Sequence, residues 1–265
     1  MLGGYRSAAQ MVLVPGRPRA SMDGMSSQQI ALVTGANKGI GYEIAAGLGA
    51  AGFTVGVGAR DDHRRDEAVA ALRADGVDAF GVPLDVTDDA GVAAAARALD
   101  ERFGRLDVLV NNAGIAGPWP ADPTTVAPDA LRAVLDTNVI GAVRVTNAML
   151  PLLRRSAHPR IVNQSSHVAS LTLQTTPGVD LGGVDGVYAP SKTLLDAVTI
   201  QYAKALAGAG FKVNGACPGY VATDLNGFAG TSTPREGAEA AVRLATLPDD
   251  GPTGGLFDRD GVVPW

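Results

Sequence analysis

From Ile30 onward, short runs of β-branched and apolar residues alternate with longer Ala-rich segments whose apolar positions recur at helical spacing. The runs IALVT (30–34), FTVGVGA (53–59), AFGVPL (79–84), LDVLVN (106–111), RIVNQS (160–165), KVNGAC (212–217) and GGLFD (254–258) predict strands. Helices are predicted between them near 40–51, 62–74, 88–103, 128–156, 188–208 and 234–246. Strand and helix in regular succession predict a single α/β domain, a doubly wound parallel sheet with helices on both faces. A ligand in such a sheet lies beyond the carboxyl ends of the strands, where all the motifs below fall. Two glycine-bearing stretches, 172–186 and 224–235, read as mobile loops.

Residues 1–29 have no such periodicity and are expected to form a disordered leader to a folded domain at 30–265. Their apolar patch MVLV is too short for a signal-peptide core. Four of the five methionines, Met1, Met11, Met22 and Met25, lie in this leader, which predicts a natural start at Met22 or Met25; a transit peptide is the weaker reading.

A net charge of −5 with scattered Lys and Arg offers no basic stripe for a phosphate backbone, so nucleic acid is excluded as a partner. No apolar run is long enough to cross a bilayer, and no membrane partner is expected. Cys217, the only cysteine, cannot form an intrachain disulfide, which fits the cytoplasm. With only His63, His158 and His167, a zinc site is poorly supported and no metal is expected. His167 next to Ser166 invites a hydrolase reading, but no G-x-S-x-G elbow is present and adjacent strand residues face opposite ways.

After the first strand comes TGANKGIG, with Gly35, Gly39 and Gly41 spaced G-x-x-x-G-x-G ahead of a helix. Glycines there permit a tight turn, and the helix N-terminus offers unsatisfied N–H groups to a pyrophosphate, the chemistry of a Rossmann-type dinucleotide site. At the end of the second strand stand Ala59 and Arg60, where an NAD-preferring protein carries an acid for the ribose. A guanidinium can grip a 2′-phosphate through two charge-assisted bonds, with Lys38 adding charge from the glycine turn, so NADP is favoured over NAD. The competing assignment leaves Arg60 solvated and gives the ribose to Asp61. Asp85 ends the third strand and can accept from an adenine amino group, or serve as turn chemistry; Asp88 reads as the N-cap of the next helix. Asn111 opens NNAG, where its amide can tie neighbouring strands together.

TGANKGIG, NNAG, DTNVIG, IVNQSS, YAPSK and CPGYVATD, all in this order, resemble the short-chain dehydrogenase/reductase family over about residues 29–258. The glycine spacing is similar to its short form, and the GAR and CPGYVATDLNG segments to its carbonyl-reductase branch. The resemblance implies an NADP(H)-dependent oxidoreductase acting on a small carbonyl or secondary-alcohol substrate. It assigns the coenzyme to Gly35, Asn37, Lys38, Gly39, Ile40, Gly41, Arg60, Asp85, Val86, Asn112, Ala113, Gly114, Tyr188, Lys192, Pro218, Gly219, Val221 and Thr223.

It further implies a catalytic tetrad of Asn138, Ser166, Tyr188 and Lys192. Tyr188 would be the general acid for reduction and the base for oxidation, Ser166 would hydrogen-bond the substrate oxygen, and Asn138 would hold a water linking Lys192 to solvent. Tyr188 and Lys192 lie one helical turn apart. A unit charge ~4 Å from the phenol at an effective dielectric of ~20 is worth roughly 4 kcal/mol before desolvation, so Lys192 is expected to lower the phenol's pKa. Cys217 reads as a small buried hydrophobe, and Trp119 and Tyr220 as pocket walls or surface aromatics. The Ser166 to Tyr188 spacing is longer than is common in the family. The resemblance implies a homodimer or homotetramer, with a monomer as the alternative. The alternative of a different class is a dinucleotide-binding sensor or scaffold that turns nothing over.

Overall fold

The computed structural model describes residues 28–265. The expectations about the leader and its start site otherwise lie outside these residues. Gln29 is already engaged, its carbonyl accepting the N–H of Thr54 at 2.9 Å.

Six parallel strands form the body of the sheet: β1 (Ile30–Thr34), β2 (Thr54–Ala59), β3 (Ala79–Pro83), β4 (Val108–Asn111), β5 (Arg160–Gln164) and β6 (Lys212–Ala216). Two short strands, β7 (Leu256–Phe257) and β8 (Val262–Val263), complete it. Their order is β3-β2-β1-β4-β5-β6-β7-β8, with only the last pairing antiparallel. The order reverses between β1 and β4, and the crevice beyond those strand ends is where such a sheet takes a ligand.

Side chains alternate across the sheet and bury two cores. Val33, Val55, Val57, Val110 and Val162 meet α1 (Gly39–Ala50), α2 (Asp62–Ala74) and, through Leu244 and its neighbours, a helix described below as α8. Leu32, Leu109, Ile161 and Val213 face the opposite way, against α3 (Asp89–Phe103) and the two long helices of the second half. Strands apolar on both faces are what a fully covered parallel sheet requires.

The helix expected over 128–156 is interrupted. It runs as α4 (Pro128–Leu135), a π-helical turn at Asp136–Ile140 and α5 (Gly141–Leu153), so Asn138 sits inside the irregular turn. Part of the loop expected at 172–186 forms a short helix, α6 (Leu171–Thr175), capped by the Ser170 hydroxyl. α7 (Tyr188–Leu206) and α8 (Pro234–Ala245) follow expectation, the latter opened by a Thr233/Glu236 capping box. Asp61 and Asp88 cap α2 and α3. α1 differs: Lys38 at its N-cap makes no side-chain cap, and its first turn holds no acid.

Candidate active site

Asp185 fixes the start of α7. Its carboxylate accepts the N–H groups of Val187 and Tyr188 at 2.9 Å each and of Ala189 at 3.1 Å, satisfying donors that the helix itself cannot. Tyr188 is thereby set at the start of the helix, its phenol near enough to the Ser166 hydroxyl for that group to favour the ionised form. Ser166 follows β5 directly in extended conformation.

Lys192 lies one turn further in, with 4% of its surface exposed. Its Nζ donates to the carbonyl of Gln164 at 2.7 Å and stands 5.6 Å from the centroid of the Tyr188 ring. Gly114 makes room for it: a Cβ there would lie 3.6 Å from Nζ and 3.2 Å from Asn138 Oδ1. The Asn138 amide donates to the Ile115 carbonyl and to Ser191 Oγ at 3.0 Å each, and its Oδ1 accepts Ile115 N–H at 2.9 Å. Its side chain therefore clamps the strand exit after β4 to the residue preceding Lys192. All four tetrad residues converge on one end of the sheet.

The expected effect of Lys192 on Tyr188 is corrected by this geometry. Burial pushes the phenol above its ordinary value, and the opposing pull comes from the nearby Ser166 hydroxyl. The ammonium is directed at the Gln164 carbonyl, and burial lowers its own pKa to about 8 against the pull of Asp196.

Beside the tetrad, Asn111 takes the tying role. Its amide donates to Thr146 Oγ1 at 2.9 Å and Asn163 Oδ1 at 2.8 Å, and the Asn163 amide continues to Thr199 Oγ1 at 2.7 Å. Cys217 is buried, and burial pushes its thiol upward. His167 is committed elsewhere, its Nε2 2.9 Å from Asp258.

At the nucleotide end, Gly35 and Asn37 lie in the turn that leads through Lys38 and Gly39 into α1. The Thr34 hydroxyl accepts Asn112 and Ala113 N–H, and the Asn112 amide donates to the carbonyls of Thr34 and Gly35 at 2.9 and 3.2 Å. The Asn112 side chain thus braces the glycine turn. A Cβ on Gly41 would lie 2.4 Å from both that amide and the Gly35 carbonyl, so no other residue fits. With its first N–H groups uncapped, α1 suits an anion, and this is the observation that fits the coenzyme's pyrophosphate.

Arg60 is exposed at the end of β2, close enough to Asp85 to help hold that carboxylate below its usual range. The larger cause is Thr87, whose hydroxyl and N–H both bond Asp85 Oδ1, at 2.7 and 2.9 Å. Asp61 is occupied capping α2 through Arg64 N–H at 3.0 Å, which weighs against it as the ribose ligand. Lys38 pairs with Asp224.

Val86 is buried against Gly141, and Val221 against Ile40 by way of Gly237. Beyond β6, Pro218 and Gly219 carry the chain back toward the glycine turn. There the Thr223 methyl would touch a Cβ on Gly39 at 3.5 Å. Lys38, Gly39, Arg64, Thr223, Asp224 and Phe228 line a cavity of about 370 Å³.

Sequence reasoning passed over Asp185, Arg64, Gln164 and Asp196. The first had a visible signal, an acid just ahead of a helix start. The side-chain amide of buried Gln164 finds no hydrogen-bond partner among the described residues, a fact that spacing could not disclose.

Residues 29–233 match the family described as short chain dehydrogenase. The chain belongs to the short-chain dehydrogenase family. As a member it is an oxidoreductase. This short-chain dehydrogenase is 31% identical to (+)-neomenthol dehydrogenase of Capsicum annuum, over 90% of this chain and 98% of the relative. It is 34% identical to carbonyl reductase [NADPH] 1 of Bos taurus, over 91% and 99%. Among solved structures it is similar to NADPH-bound carbonyl reductase from chicken fatty liver, with a TM-score of 0.77 at 28% identity, covering 90% of this chain and 99% of the other. Among the described residues of this short-chain dehydrogenase, no helix is long and apolar enough to cross a membrane.

Proposed function

We propose that this protein reduces a carbonyl compound to a secondary alcohol with NADPH, with Tyr188 delivering the proton. The proximity of the Ser166 and Tyr188 hydroxyls supports this reading, because two hydroxyl donors beside each other can meet one substrate oxygen. The coenzyme, when bound, supplies the hydride that goes to the carbonyl carbon. Ser166 then stabilises the charge developing on oxygen, and Tyr188 Oη transfers its proton to that oxygen, which leaves the alcohol. The phenol is protonated near neutrality, the form in which Tyr188 can donate. Lys192 holds the ribose hydroxyls, and Asn138 keeps the strand exit and Ser191 fixed around it.

NADP(H) rather than NAD(H) is supported by exposed Arg60, by the engagement of Asp61 as a cap, and by the coenzyme named for the bovine relative. Trp119, Tyr220 and Phe228, exposed on the loops after β4 and β6, support an apolar substrate. Ile140 and Leu194, exposed on the π turn and on α7, support pairing of two copies through those helices, and the single buried thiol supports a cytoplasmic setting. The direct test follows loss of nicotinamide absorbance with pure protein, NADPH and a panel of ketones, aldehydes and quinones. Turnover with at least one member is expected; NADPH binding with no turnover across the panel would favour the sensor.

A further inference from the structure

α7 carries a second buried charge one turn beyond Lys192. Asp196 is 4% exposed and, at i+4, shares the helix face of the lysine. It points at the sheet, where β6 has a glycine: a Cβ on Gly215 would lie 3.5 Å from Asp196 Oδ1. The groups facing it are Lys192 from its own helix, Ser165 from the end of β5, and Cys217 from the end of β6. Asp258, beyond β7, acts on the same thiol and is itself paired with His167. Among the described residues neither Asp196 oxygen makes a well-formed hydrogen bond, although Ser165 is near enough to favour its charged form. Burial pushes its pKa up to about 7, against the pull of Ser165 and Lys192.

An unbonded carboxylate buried against a sheet weakens a fold, and an apolar side chain in the same space would not. The cation facing it is Lys192, buried one turn away on the same helix face. Once desolvated, an ammonium loses its proton unless a counter-charge is near. We propose that Asp196 is a positioning residue, the buried counter-charge that keeps Lys192 cationic toward the Tyr188 ring and the coenzyme ribose. The ribose half of this statement rests on the coenzyme reading above; the Lys192 half does not.

Asp196→Asn keeps the volume and removes the charge, so it separates the two. The full chain, labelled with 13C at lysine Cε, is titrated by NMR without coenzyme. NADPH affinity is measured in parallel by nicotinamide fluorescence from about pH 6 to about pH 9. The Lys192 midpoint is expected to fall by about one unit in the variant. A fall of that size from about 8 takes the charged fraction at pH 8 from about a half to about a tenth, so NADPH affinity there is expected to weaken roughly fivefold. At about pH 6 the two proteins should bind NADPH alike. Ser165→Ala, which weakens the ionised form of Asp196, is expected to move the midpoint the same way by less. An unchanged Lys192 midpoint in Asp196→Asn overturns the proposal, as does uniform weakening of NADPH binding at every pH. A shifted midpoint in a protein that does not bind NADPH at all would leave the counter-charge standing and sink the coenzyme reading.

Discussion

The Asp185 carboxylate accepts the backbone N–H of Tyr188 at 2.9 Å, so the residue proposed to carry the proton is also the residue at which its helix is capped. Asp185→Ala therefore acts on stability and on turnover together. Loss of the cap is expected to cost about 1 kcal/mol in chemical denaturation. kcat should fall by more than any unfolded fraction explains, because Tyr188 loses its anchor. Asp185→Asn, which keeps one acceptor oxygen, should recover part of both. A kcat equal to wild type in the alanine variant would detach the cap from the chemistry.

Tyr188→Phe is expected to abolish turnover, with a loss on the order of 10²–10⁴-fold or more in kcat, while NADPH affinity stays nearly unchanged. Only the phenolic hydroxyl, with its transferable proton, is removed. Titration with NADPH and steady-state kinetics on the same preparation check both halves. Wild-type rates would refute the assignment.

Arg60→Asp is expected to shift the ratio of kcat/KM from NADPH toward NADH, since a carboxylate repels a 2′-phosphate that a guanidinium would hold. An unchanged ratio would transfer the selection to Lys38 or Arg64, both of which line the cavity beside the glycine turn.

Asp224 pairs with Lys38 across that cavity, with both side chains about half exposed. Such a pair contributes little to stability, roughly 0–1 kcal/mol. Asp224→Asn is thus expected to leave Tm almost unmoved while tightening NADPH relative to NADH, because Lys38 no longer has a competitor for phosphate. Equal changes in affinity for the two coenzymes would show that Lys38 does not meet the 2′-phosphate.

Asp196 also predicts a pH dependence of stability. Its pKa is raised in the fold to about 7, so between about 4 and about 7 the folded chain binds this proton more tightly than the unfolded chain. Stability from this group is therefore present at low pH and lost as pH rises through about 7. Differential scanning of wild type and Asp196→Asn should show the wild type losing ground to the variant from about pH 5 to about pH 8, and a constant difference in Tm would refute this.

Much of the fold was legible because its parallel strands are buried on both faces and therefore read as apolar runs. The glycine turn and the Tyr188/Lys192 spacing were legible for a related reason: local backbone geometry permits few residue types there. What escaped depends on tertiary contact. β7 lies inside the predicted strand at 254–258, but β8, at two residues too short for any period, had no signal at all. The π turn around Asn138 answers to its bonds with Ile115 and Ser191, which are far off in sequence. The sign of the Tyr188 shift was misjudged because helical spacing shows Lys192 near but shows neither the burial that raises the phenol nor the aim of the ammonium at the Gln164 carbonyl.

The bare first turn of α1 has a practical consequence at the bench. Amide groups with no side-chain cap there will bind an oxyanion from any source, so inorganic phosphate and sulfate should compete with the dinucleotide for one seat. Kinetics recorded in phosphate buffer should show the KM for NADPH climbing with buffer strength while the maximal rate holds. The same occupancy should raise the melting temperature of the coenzyme-free protein, a thermal shift that a careless screen would score as a hit.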